Sequence, residues 1–347
     1  MPTATDRITA LINKGNDRFN KRVDRQLAPS TARLKRDYAS VRAAVKPSID
    51  ALRKEAETAT RDQLRQSPVI VTLKAEARQR LTTFAKTIQG EAARQERDGV
   101  TNGVSLAMDT LNDTMPNPIK PDVQSIRTLI ARVGGAFFAA MLADWVGRQI
   151  GQIDTFFQTA ETGSNSANWI VKAIDGFFKT SILSSAIGAV ETIGLDAARE
   201  AARRTYERNG VREWIWSCAK DRKTCASCWA MHGQRFPITQ SLNDHPSGRC
   251  AMVPVTRSWA DLGLDGQDVT VRDGEYYFRK LSTAAQREIL GPSRYRAWQA
   301  GEFEFTSLST ESTITGVGTV RVARSLRSLV GDSVASQYIQ QTRQGVQ

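Results

Sequence analysis

All four cysteines and both histidines of this chain lie between Cys218 and Cys250. Thiolate sulfur and imidazole nitrogen are the donors that zinc prefers, so the cluster reads first as a metal site. Two residues separate Cys225 from Cys228, and four separate His245 from Cys250. The C-x2-C step suits a tight turn that aims two thiolates at one tetrahedral ion, and the other two donors arrive after a loop. Cys225, Cys228, His245 and Cys250 therefore make a complete ligand set for a structural Zn2+. Cys218, beside the W-I-W run, is expected as a small buried residue. His232, before Gly233, is expected to pack at the surface or beside the ligands. Both remain open as alternative ligands. Lys220, Arg222, Lys223 and Arg249 would give the knuckle a positive face for a partner or for phosphates.

Four protein donors saturate a tetrahedral ion and leave no position for water, so a structural role is expected rather than catalysis. A cysteine nucleophile activated by histidine would not need the C-x2-C spacing. A metal-dependent nuclease of the His-Asn-His type needs a further His or Asn on a following helix to hold its ion. No histidine follows His245, and a second C-x2-C is missing.

The elements that must hold these donors are short. Residues 212–217 (R-E-W-I-W-S), 234–238 (Q-R-F-P-I) and 251–255 (A-M-V-P-V) are strand-like and flank the cysteines. Before them, residues 196–208 are strongly helix-forming and end at Asn209-Gly210. After them, residues 281–290 and 293–298 return to helix.

Farther upstream, residues 1–100 read as long helices. Leu34, Tyr38, Val41, Val45, Ile49, Leu52 and Ala56 fall three or four apart, which lines up one apolar face. Pro29, Pro47 and Pro68 are expected to start or kink helices. Only Phe19, Tyr38 and Phe84 are aromatic there, too little for a compact core, so these helices should pack against one another or a partner.

Asn102-Gly103 and Met115-Pro116-Asn117-Pro118 mark a linker. Phe137, Phe138, Trp145, Phe156, Phe157, Trp169, Phe177 and Phe178 then signal a helical core, with a loop at 163–166. The expected division is a basic extended helical region (1–100), a linker (101–122), a helical core (123–210), a knuckle-bearing module (211–306) and a C-terminal tail (307–347). That tail is Ser/Thr/Gly-rich, with a mixed segment at 320–334 and a frayed end. The fold class is mainly α with a small α+β zinc-binding module.

The net charge is +12, and residues 1–100 hold 21 Lys and Arg against 12 Asp and Glu. Such a surface favours nucleic acid, anionic membranes or acidic proteins without choosing among them. The N-terminus lacks the apolar core of a secretory signal. The longest apolar run, 133–143, is far short of the roughly 20 residues of a membrane span and reads as a buried helix. Synthesis in a cytoplasm with reduced thiols and no membrane partner is therefore expected.

The run from Arg199 to Val255 also resembles the phage head morphogenesis family, the Mu F-type minor head proteins of tailed bacteriophages. The resemblance rests on Trp214, Trp216, Asp221, Thr224, Cys225, Cys228, Gly233, His245, Pro246, Arg249 and Cys250, with a similar run at 278–303. It covers about a third of the chain. It departs at H-P-S-G-R-C, where Gly248 stands at the first cysteine of the family's C-R-C. The resemblance implies a structural, non-enzymatic minor head protein acting in capsid assembly or in DNA packaging and ejection. It also implies several copies per virion, at the portal vertex or capsid interior. The implied partners are the portal or major capsid protein. The basic N-terminal helices could add contacts to the phosphates of packaged double-stranded DNA. A zinc-containing, sequence-independent DNA-binding protein is the alternative, and a metal-dependent nuclease or toxin a more distant one.

Overall fold

The computed structural model describes residues 4–130, 136–160, 166–256, 271–314 and 318–345. The side chains of 4–8, 136–141, 314 and 318 lie outside that description. So do the expectations for Phe137 and Phe138, for most of the run 133–143, and for most of the loop at 163–166. Helix accounts for 71% of the chain and strand for 8%, which settles a mainly α class.

The helices of the first two-thirds are α1 (Ala4–Glu55), α2 (Arg61–Gln66), α3 (Pro68–Asn112), α4 (Val123–Ile130), α5 (Ala136–Thr159), α6 (Ser166–Gly176) and α7 (Ile182–Arg208). A π turn, Phe177–Ser181, joins α6 to α7. The chain then forms β1 (Glu213–Ser217), α8 (Ala226–Met231), β2 (Arg235–Pro237), β3 (Ala251–Val255), α9 (Gly274–Phe278), α10 (Thr283–Leu290) and α11 (Pro292–Gln299). It closes with β4 (Ser309–Ile314), β5 (Gly318–Ala323), α12 (Leu326–Val330) and α13 (Asp332–Arg343).

Two compact units result, each drawn from separated stretches of the chain. One comprises residues 25–98 and 131–194, the other 1–24, 99–130 and 195–347. In the first, the predicted stripe of Leu34, Tyr38, Val41, Val45, Ile49, Leu52 and Ala56 is buried throughout. It packs with Leu73, Leu81, Phe84 and Ile88 of α3 and with a stripe on α6 and α7. That second stripe is Ile170, Ile174, Phe178, Ile182, Ala186 and Val190, and Tyr38 donates to the Phe178 carbonyl at 2.8 Å. The continuous helix Ser166–Arg208 is long and apolar enough to cross a membrane by length and composition. A helix that buries an apolar stripe in a protein core passes the same test. Trp169, expected in the core, is half exposed.

Two local expectations need correction. Asn102-Gly103 does not open a linker, because α3 continues to Asn112. A Cβ at 103 would fall on the Ala198 carbonyl oxygen, so the glycine lets α3 and α7 approach closely. Pro68 starts α3, whereas Pro29 and Pro47 lie inside α1 at exposed positions. There water can satisfy the carbonyls that lose a partner.

In the second unit, β1 is the centre of a three-stranded antiparallel sheet of order β2-β1-β3. Its core includes Trp214, Trp216, Trp229, Phe278, Trp298 and Phe305. The predicted tail is more regular than expected. β4 and β5 form an antiparallel hairpin, and Leu326 and Ala335 pack with Ala297 of α11. The β-branched Thr319, Val320 and Val322 favour a strand in 318–323 (G-T-V-R-V-A), a signal masked by the segment's high Ser, Thr and Gly content.

Candidate metal centre

β1 leads to a turn in which Lys220 takes a left-handed backbone, with φ of 57°. Asp221 and Thr224 brace that turn. Thr224 Oγ1 donates to Asp221 Oδ1 at 3.0 Å, and the Lys223 N–H donates to the same oxygen at 3.0 Å. The chain then enters α8 with Cys225 as its N-cap, its sulfur accepting from the Cys228 N–H at 3.4 Å. One helical turn therefore sets both thiols on the same side, with Sγ–Sγ 3.4 Å.

The second pair of predicted ligands comes from the loop 239–250. His245 Nε2 lies 3.4 Å from Cys228 Sγ. The donor atoms of Cys225, Cys228 and His245 all lie within 4.8 Å of one another, and so do those of Cys228, Asp244 and Cys250. Cys228 belongs to both triads. The sulfurs of a tetrahedral zinc site, with Zn–S near 2.3 Å, stand about 3.8 Å apart. A cluster of this size and donor chemistry can hold a metal ion.

Its electrostatics are set by hydrogen bonds among the clustered side chains and by burial. The hydrogen bond from the Cys228 thiol, with the hydrogen bond and charge of His245, pulls Cys225 down to about 5 against burial. The hydrogen bond to Cys225 and the charges of Asp244 and Cys225 lift His245 to about 9. Cys228, as donor to Cys225, is held well above the usual thiol range, and burial raises Cys250.

Two contributors were not singled out from the spacing. Asp244 is fully buried at the foot of the loop. Its Oδ1 accepts from the His245 N–H at 2.9 Å, and its Oδ2 from the Cys250 N–H at 3.1 Å. Arg199 of α7, also buried, reaches Asp244 Oδ2 at 3.0 Å and the carbonyls of Gly248 and Cys250 at 2.7 and 2.8 Å. Through these bonds Asp244 orients the backbone that carries His245 and Cys250, and it is itself a donor within reach of Cys228 and Cys250. Gly248 is part of the same arrangement. A Cβ there would fall on the Asp244 carboxylate, so this carboxylate fills the space that a side chain at 248 would need. A detectable signal was present in the sequence: an acid directly before a ligand, with a glycine four residues on.

The alternative ligands lie elsewhere. His232 is buried rather than at the surface, its ring edge-on to Tyr277, and its Nδ1 accepts from the Cys218 N–H at 3.2 Å. Burial, helped by the nearby Lys220 charge, lowers it to about 3. Cys218 is buried as expected, and burial raises its thiol. Neither belongs to the two triads. Of the predicted positive face, Arg222 and Lys223 are exposed. Arg249 is engaged within the protein, with Asp221 at 3.0 Å and Asn20 at 3.3 Å, and Lys220 donates to the Cys218 carbonyl at 3.3 Å.

Comparison of the chain with protein families, with curated proteins and with solved structures finds no match.

Proposed function

We propose that Cys225, Cys228, His245 and Cys250 bind one structural zinc ion, and that the chain is a non-enzymatic minor head protein of a tailed bacteriophage. The observation that carries the zinc assignment is the cluster itself: two thiols on one turn of α8, with His245 and Cys250 brought to the buried Cys228 by an Asp244-braced loop. β1 and β3 are five residues each and β2 is three. Elements this short bury little surface alone, and a metal crosslink stabilises them directly. Four protein donors leave no open position for a catalytic water, which supports a structural role.

The head-protein assignment rests on the motif resemblance around this knuckle, and the placement of Gly248 beside Asp244 gives its one departure a physical rationale. In this reading the module docks on the portal or major capsid protein at the portal vertex or capsid interior, in several copies. Exposed cations on α1 and α3, among them Lys35, Arg78, Arg80 and Lys86, are available to phosphates of packaged DNA. The same cations favour the second reading, a sequence-independent zinc-containing DNA-binding protein. Location separates the two. The head-protein reading expects the chain in purified particles, at reduced copy number in a Cys225→Ser/Cys228→Ser phage. A chain absent from particles and bound across cellular DNA would replace it with the second reading.

A further inference from the structure

The two thiols of α8 differ in access. Cys225 is partly exposed at the N-cap, Cys228 is buried beneath it, and their sulfurs are 3.4 Å apart with no side chain between them. Cys218 and Cys250 are both buried, so among the four cysteines Cys225 alone is partly exposed. Residues three apart across the first turn of a helix can close a disulfide, whose bond needs about 2.05 Å, by side-chain rotation. We infer that the knuckle is a redox-controlled metal clamp, in which oxidation joins Cys225 to Cys228 and expels the ion. This rests on the zinc reading above.

The reaction balances with a low-molecular-weight disulfide as oxidant. The Cys225 thiolate attacks one sulfur of the oxidant, forming a mixed disulfide and releasing one thiolate. The Cys228 thiolate then attacks the Cys225 sulfur, closing the Cys225–Cys228 bond and releasing the second thiolate. The protein loses two electrons, the oxidant gains them, and the ion is left with two of its four ligands. Its departure is felt beyond the site. Ser227 of α8 shares a hydrogen bond of 2.8 Å with Ser309, and the 3-10 turn Phe305–Leu308 and the β4–β5 hairpin pack on α8. Loosening α8 should therefore expose residues 305–314 and 318–323 to proteolysis.

The test uses the full-length, zinc-loaded protein, its zinc content measured before treatment with glutathione disulfide. Bound zinc should fall at least about tenfold, with one Cys225–Cys228 linkage formed per ion released. A dithiol with added zinc should restore both zinc and protease resistance. Cys218→Ala should respond as the wild type, because that thiol is outside the clamp. Retention of zinc with reduced thiols would overturn the switch and leave the zinc reading standing. A Cys228–Cys250 linkage would overturn it too. Protein that carries no zinc before the oxidant is added would remove the zinc reading and the switch together.

Discussion

At the residue scale the knuckle depends on one buried ion pair that spacing could not reveal. C-x2-C and the later His and Cys are legible because metal ligands come in short, fixed steps. Arg199 and Asp244 lie 45 residues apart, and nothing local marks them as partners. With Asp244 fully buried, Arg199→Met would strip the guanidinium from a carboxylate that only His245, at 3.7 Å, also neighbours among the ion pairs described, which costs up to about 3–5 kcal/mol. Urea unfolding should show that loss, and Arg199→Met combined with Asp244→Asn should recover part of it. An unchanged midpoint in the single variant would contradict the role given to the pair. His232 offers a second residue-scale test. Its folded value, about 3, lies below its unfolded value near 6.5. Between these the unfolded chain holds more protons. Its contribution to stability is therefore complete above about pH 6.5 and lost as pH falls, by up to about 1.36 kcal/mol per unit. The chain has only two histidines, so proton NMR can follow each ring. The His232 signal should stay that of a neutral ring down to pH 5, and a midpoint near 6.5 would refute its burial.

At the scale of elements, periodicity was a reliable guide, and of the turn signals Asn209-Gly210 and 115–118 fell outside helices while Asn102-Gly103 misled. The stripe from Leu34 to Ala56 is buried as its spacing predicts, because an apolar face must find a partner whichever partner that is. Asn102-Gly103 read as a break, yet the glycine serves contact between helices. A pair of substitutions in α3 distinguishes these roles. Gly103→Ala should destabilise by about 1–3 kcal/mol or more, because the methyl meets the Ala198 carbonyl. Gly90→Ala meets nothing within 4 Å and should stabilise by roughly 0.5–1 kcal/mol. Thermal unfolding of both would decide the matter, and equal effects would contradict the close approach of α3 and α7.

At the scale of the molecule, the chain gathers into two units, each drawn from separated stretches. Each unit gathers distant stretches: α1, α3 and α7 each contribute to both. Long-range assembly of this kind leaves no mark in composition, whereas the mainly α class does, through helix-forming runs such as 196–208. The knuckle sits in the unit built mostly from the C-terminal part of the chain, where it adjoins a sheet whose strands are only three to five residues long and are backed by Trp214, Trp216 and Trp229. The central claim is that zinc completes this unit. Its most direct test is the metal content of freshly purified, reduced protein, measured by elemental mass spectrometry for the wild type and for Cys225→Ser/Cys228→Ser. The account predicts one zinc per chain, absent from the double variant together with protease resistance across 211–256. Wild-type protein that is fully folded and free of metal would contradict it.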